Sequence, residues 1–269
     1  MGGLSSAVSG INIVKKKWTA ELLRDILNNM IRFIFLNGFI LIDTIIFCIW
    51  AVVLGFFDNN GRLIHYYVAR PWARTILWVS GIKVRTKGQK NVDPRFPRIY
   101  MTNHQSYFDI FALLACLPVN FKFIVKQELM RLPFLGIAMR RARYIGIERK
   151  DPRKAVQSIK DAAEKIKSGA SVLIFPEGTR SIDGRLQPYK KGGFNLALRS
   201  GCDIVPITIC DSYRIVPKGS LKVNKGSFSL HIGKPISVKG YGKANVTQLM
   251  ENVRDVMLSH LNKDREPRT

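Results

Sequence analysis

The spacing of apolar and polar positions changes once along this chain, and the change divides it in two. Residues 33–57 are almost continuously apolar, interrupted by Asn37, Gly38 and Asp43. About 20 such residues cross the hydrocarbon core of a bilayer, so this stretch predicts a membrane-anchoring helical segment. After Gly81 short apolar runs alternate with stretches of helical period, the pattern of an α/β layered domain. Strands are expected at 99–102, 121–125, 144–147, 171–175, 204–209 and 227–232. The clearest helix opens at Asp151-Pro152, an N-cap acid followed by a first-turn proline. It carries Val156, Ile159, Ala163 and Ile166 on one face and stops at Gly169. Two more are expected over 193–199, ending at Gly201, and over 246–261 with Leu249, Val253, Met257 and Leu261 as its stripe. The organisation read from this is an anchoring region, 1–64, and an α/β domain, 65–269.

Charge sharpens the picture. The chain has 43 Lys+Arg against 19 Asp+Glu, a formal +24, which attracts polyanions: nucleic acid or an anionic membrane leaflet. No nucleic-acid recognition motif accompanies the charge, and the apolar run favours the membrane. Cations flank that run on both sides, Lys15, Lys16, Lys17, Arg24 and Arg32 before it and Arg62, Arg70, Arg74, Lys83, Arg85, Lys87 and Lys90 after it. Both flanks therefore prefer the cytosolic side. A hairpin or in-plane helix pair broken near Asn37-Gly38 or Asp43 satisfies that preference and spares Asp43 the bilayer centre, and is favoured over a single crossing, which leaves one basic flank outside, and over a buried helix of a soluble protein. The expected location is the inner or cytoplasmic membrane with the α/β domain facing the cytosol. No small-residue cleavage site follows the run, so it is read as retained. Cys48, Cys116, Cys202 and Cys210 show no C-x-x-C spacing, and no metal site is expected.

Two loops concentrate the chemistry. Residues 103–109 read Asn-His-Gln-Ser-Tyr-Phe-Asp directly behind an apolar run, and 172–180 read Val-Leu-Ile-Phe-Pro-Glu-Gly-Thr-Arg. A histidine five residues before an aspartate is by itself a weak signal. Both stretches, however, end an apolar strand, where α/β folds place their ligand-binding groups, so they are expected at one edge of one sheet.

The pair NHxxxxD and FPEGTR, in this order, resembles the glycerolipid acyltransferase superfamily and most closely its 1-acylglycerol-3-phosphate (lysophosphatidic acid) acyltransferases. Two further blocks belong to the comparison. The block Gly-x-x-aromatic-Ile-x-Arg is matched at Ile147 and Arg149, with Arg143 in the glycine place and Gly146 in the aromatic place; the Val-Pro strand is Ile204-Val205-Pro206-Ile207. The resemblance covers about residues 65–235. It implies an αβ domain with a central mixed sheet behind an N-terminal hydrophobic helical membrane anchor.

What the resemblance implies chemically is acyl transfer from acyl-CoA or acyl-carrier protein to the free hydroxyl of lysophosphatidic acid, giving phosphatidic acid. An alcohol gains reactivity as its proton leaves, so His104 is expected as general base and Asp109 as the anion holding its other ring nitrogen. No G-x-S-x-G elbow is present, which favours direct attack over an acyl-enzyme. Arg180, Arg149 and Lys126 are candidate phosphate cations. Gly178 and Thr179 form the turn, and Glu177 is expected to orient Arg180 or a loop amide rather than touch the phosphate. His65, His231 and His260 lack an acid at comparable spacing and are expected to be structural, and Asn103 can cap a helix starting near Ser106. No bound cofactor or metal is expected. The rival readings are another lyso-lipid acceptor and a non-catalytic basic membrane-binding protein.

Overall fold

The computed structural model describes residues 3–148 and 151–265. The chain forms two compact units that divide between Leu41 and Ile42, inside the first helix. That helix, α1 (Gly3–Leu54), runs unbroken through Asn37, Gly38 and Asp43, which corrects the expected break. The physical reason is that a break in an apolar stretch leaves backbone amides unsatisfied, whereas an exposed helical glycine costs only about 1 kcal/mol. The Asn37 side chain moreover donates to the Phe33 carbonyl at 2.8 Å. Within α1 the stretch Glu21–Leu54 is long and apolar enough to cross a membrane.

The second unit starts with the last turns of α1. Cys48 and Ala51 are buried there with Ile64, Val68, Ala138 and Ala142, and Asp43 is buried as well, so packing rather than a chain break shelters its carboxylate. A short helix, α2 (Arg62–Ile64), passes through a π-helical turn, His65–Ala69, into α3 (Arg70–Ser80). Trp72 of α3 donates its indole N–H to Thr44 of α1.

The centre is a seven-stranded mixed sheet among the described residues: β1 (Ile82–Lys87), β2 (Ile99–Thr102), β3 (Lys122–Lys126), β4 (Ile145–Ile147), β5 (Val172–Ile174), β6 (Ile204–Cys210) and β7 (Gly226–Ile232). Their spatial order is β1-β7-β6-β2-β5-β3-β4, and every neighbouring pair is parallel except β6 with β7. Six of the seven lie where the apolar runs predicted them, within a residue or two. β1 was not expected: its sequence, Ile-Lys-Val-Arg-Thr-Lys, buries only Ile82 fully and exposes Lys83, Arg85 and Lys87, as suits the outermost strand of the sheet.

Helices cover both faces, and for that reason β2, in the middle, is buried at all four positions. Ile99 and Met101 join Ile166, Phe194, Val253 and Met257 in one core, beneath α6 (Pro152–Lys167), α7 (Lys191–Ser200) and α8 (Val246–Arg265). On α6 the Asp151 side chain accepts from the amides of Arg153 and Lys154, the cap its sequence predicts. Near the other helices, α3 and α4 (Phe108–Cys116) meet through Trp72 and Phe111, whose rings lie edge to face with centroids 5.1 Å apart. The remaining helix, α5 (Leu135–Arg141), follows a 3-10 turn at Gln127–Arg131.

Candidate active site

Because β2, β5 and β3 are neighbours and parallel, the loops that leave their C-terminal ends share one edge of the sheet. His104 follows β2, and residues 175–180 follow β5. The two loops are in direct contact: the Ser181 amide donates to the His104 carbonyl at 2.7 Å, and the His104 and Phe175 rings stack with centroids 4.1 Å apart.

Asn103 sets the position of its loop, although not as the helix cap expected. Its side-chain amide donates to the Ile209 carbonyl and accepts from the Ile209 amide, both at 2.8 Å, so it continues the β2–β6 ladder by one rung. The start of the following helix is held by Asp109 instead. Asp109 Oδ2 accepts from the amides of Gln105 (2.6 Å) and Ser106 (2.9 Å) and lies 2.8 Å from His104 Nδ1, while Oδ1 accepts from the Ser212 hydroxyl. Asp109 is fully buried, and these contacts fix the position of its carboxyl group. The carboxylate in turn fixes the imidazole with Nδ1 as the donor, leaving Nε2 as the acceptor. Among the described residues Nε2 has no hydrogen-bond partner, and the His104 side chain retains 16 % of its exposure.

The second loop turns sharply. Pro176 ends the strand, and Gly178, at φ 72°, returns its amide to the Phe175 carbonyl at 3.1 Å. Glu177 is buried at 3 % exposure with both carboxylate oxygens unpaired. Burial pushes its pKa up to about 8; the amides of Gln187 and His104 pull the other way without reaching hydrogen-bond geometry. Glu177 forms no ion pair with Arg180, so the expected orienting contact between them is not made. Arg180 lies flat on Tyr107, its Cζ 3.8 Å from the ring centroid, with Nη1 buried and unpaired. Thr179 is exposed and accepts from Lys218 at 3.3 Å. Lys126 ends the adjacent strand β3 and is exposed. Arg149 lies outside the described residues.

The fold thus brings together His104, Asp109, Glu177, Gly178, Thr179 and Arg180, with Lys126 one strand further along the same edge. Behind the second loop opens a cleft of about 260 Å³, walled by Ile124, Ile147, Ile159, Ile174 and Leu196, with Glu148 and Lys190 beside them. A base with a free lone pair, cations close by and an apolar cleft are together suited to moving a proton beside an amphiphile. Sequence reasoning missed Ser212, which no motif marks and which reaches Asp109 only through the β6 turn. It also missed that His231 has an acid: its Nε2 is 3.1 Å from Asp264 of α8. Cys210 completes a trio of possible metal ligands with that pair, but Ser229 and Lys87 already engage Asp264.

The acyltransferase family model matches residues 83–210. The chain is 40% identical over 182 residues to the chloroplastic 1-acyl-sn-glycerol-3-phosphate acyltransferase BAT2 of Brassica napus, a match covering 67% of this chain and 52% of that protein. The chain spans about half the length of the chloroplastic relatives from Brassica napus and Arabidopsis thaliana. Against the 1-acyl-sn-glycerol-3-phosphate acyltransferase of Pseudomonas aeruginosa it is 31% identical over 193 residues, covering 70% of this chain and 74% of that one. In fold it resembles the crystal structure of the 1-acyl-sn-glycerophosphate acyltransferase from Thermotoga maritima, with a TM-score of 0.75 at 22% identity over 90% of this chain and 99% of that chain. By sequence this chain belongs to the acyltransferase family, among its 1-acyl-sn-glycerol-3-phosphate acyltransferases.

Proposed function

We propose that the chain transfers a fatty acyl group from acyl-CoA or acyl-carrier protein to the free hydroxyl of lysophosphatidic acid, forming phosphatidic acid at a membrane surface. The observation that carries this reading is the His104–Asp109 pair at 2.8 Å, locked against the 175–180 loop. His104 Nε2 removes the acceptor's hydroxyl proton as its oxygen attacks the thioester carbonyl. Asp109 stabilises the resulting imidazolium, which then protonates the departing thiolate, so no acyl group is held on the protein.

The acceptor's phosphate lies against Arg180, with Lys126 and Arg149 as further cations. Arg180 supports this because its guanidinium is held on Tyr107 with Nη1 unpaired, and a phosphate oxygen supplies the missing acceptor. Gly178 and Thr179 shape the turn beside it. Burial pushes the Glu177 carboxyl up to about 8, which weakens its repulsion of the phosphate. The apolar cleft behind the loop accommodates an acyl chain. The anchor is α1, and the cations that follow it, Arg62, Arg70 and Arg74, favour a cytosolic domain at the inner or cytoplasmic membrane. The activity requires no bound cofactor or metal in this reading.

The testing experiment is an assay of the purified full-length chain against lysophosphatidic acid and phosphate-free or choline-bearing lyso-lipids, each with acyl-CoA and acyl-carrier protein. Preferred acylation of lysophosphatidic acid supports the reading. Equal or better use of a lyso-lipid lacking the terminal phosphate overturns the acceptor assignment.

A further inference from the structure

Residues 127–141 read Gln-Glu-Leu-Met-Arg-Leu-Pro-Phe-Leu-Gly-Ile-Ala-Met-Arg-Arg, and neither motif includes them. Met130, Ala138 and Met139 are buried, while Leu129, Leu132, Phe134 and Ile137 are exposed, Phe134 at 51 %. Single exposed apolar residues are ordinary; four large ones within nine positions are not.

The backbone is built to keep them outward. A Cβ on Gly136 would lie 2.4 Å from the Met130 carbonyl, so only glycine lets the chain close there, and the Arg140 guanidinium donates to the same carbonyl. Phe134 at the apex adopts φ 56°, a conformation that L-residues disfavour and that the core does not reward, since the ring stays out of it.

The neighbours are of the same character. Leu135, Ala138 and Ala142 pack against Cys48, Ala51 and Leu54 of α1. The outward side chains of those α1 turns, Ile49, Trp50 and Val53, are exposed, as are Phe56 and Phe57 just beyond. Arg141 joins the two segments, its Cζ 4.7 Å from the Phe56 ring and its Nη1 donating to the Gly55 carbonyl. Arg131 and Arg140 are exposed among the apolar side chains, and acids are scarce: Glu128 is the only one in the segment.

We propose that residues 127–141 form a second membrane-contacting surface, on the catalytic unit itself, which inserts Leu132, Phe134 and Ile137 into an anionic leaflet beside the end of α1. Two observations select a bilayer as the occupant. The exposed Arg131, between Leu129 and Leu132, is complementary to anionic headgroups and can extend to them while its stem stays apolar. The surface is also continuous with the C-terminal turns of the helix that is long and apolar enough to cross a membrane. Residues 127–141 follow β3, parallel to and in the same sheet as β2 and β5, so this surface leaves the sheet at the His104 edge. A lipid acceptor then reaches the site without crossing water, a consequence that rests on the proposed function while the membrane contact itself does not.

The test uses the full-length chain with Cys116→Ala and Cys202→Ala, the buried Cys48 and Cys210 being left in place. A polarity-sensitive fluorophore is attached through Phe134→Cys or Ile137→Cys, with Trp50→Cys as an anchor site and Lys160→Cys on α6 as a control. On adding phosphatidylcholine vesicles containing phosphatidylglycerol, emission at 134 and 137 shifts to the blue as it does at 50, and emission at 160 does not. Water-like emission at 134 and 137 beside a blue shift at 50 overturns the proposal. So does a shift that grows with protein concentration without vesicles, which assigns the surface to a second copy. As a second measurement, Leu132→Glu with Phe134→Glu lowers transfer to lysophosphatidic acid in vesicles about tenfold and leaves transfer in detergent micelles unchanged. Equal losses in both make the segment structural and contradict the proposal. A parent chain that acylates no lyso-lipid but shows the blue shift refutes the proposed function alone.

Discussion

The backbone amide of Ser181 donates to the carbonyl of His104 at 2.7 Å, so the two loops carrying the chemistry are one hydrogen-bonded unit. Phe175 strengthens that unit by stacking on the imidazole. The positions of His104 and Arg180 are therefore coupled through the backbone.

Ser212 is a positioning residue whose hydroxyl holds the outer oxygen of Asp109. Ser212→Ala is expected to lower kcat by about tenfold with KM little changed, since a hydrogen bond to a charged group is lost. Ser212→Thr, which keeps the hydroxyl, should restore most of the rate. Steady-state kinetics of the two variants checks this, and equal rates in the alanine variant and the parent contradict it.

In the proposed function Arg180 binds the acceptor's phosphate, and Arg180→Ala removes that charge-assisted donor. Its kcat/KM for lysophosphatidic acid is expected to fall by about tenfold to a hundredfold. An acceptor without the phosphate should lose much less. Parallel titrations of the two acceptors make the comparison.

Glu177 links pH to stability. Its carboxyl titrates near 4.5 when free and at about 8 when buried, so folding favours the protonated form. That contribution is complete below the unfolded value and is lost as pH rises through the folded one. Glu177→Gln, neutral at every pH, is therefore expected to gain stability relative to the parent between about pH 5 and pH 8. Denaturant titrations across that range measure the gap. A constant gap shows that Glu177 does not titrate there.

Attachment through α1 is hydrophobic and should survive a wash in about 1 M salt, where the Debye length is near 3 Å and exposed charges lose their reach. Release of the full-length chain by salt, measured by vesicle sedimentation, indicates that the +24 charge alone holds it.

Much of this was legible in the sequence, for physical reasons. Ile99–Thr102 reads as a buried strand because both faces of the sheet are covered and each residue is apolar or small. The start of α6 reads from Asp151-Pro152 because an N-cap acts locally. His104 and Asp109 are close in sequence and meet within a single turn. What was hidden depends on contacts distant along the chain. Asp264 reaches His231 only because α8 packs back on the sheet, and Ser212 reaches Asp109 only because β6 lies beside β2. The charges of β1 read as part of a basic flank because an outermost strand needs only one buried side chain to hold its place. Asn37-Gly38 read as a break because the two basic flanks and Asp43 were weighed without the cost of exposing amides in an apolar stretch.

The central claim is that His104 acts as the base, and its removal tests that most directly. The initial rate of transfer from acyl-CoA to lysophosphatidic acid is compared between the parent and His104→Ala, with matching thermal unfolding as evidence of an intact fold. A fall of about two to four powers of ten is predicted, the usual contribution of a positioned general base. A folded His104→Ala protein that turns over near the parent rate contradicts the account.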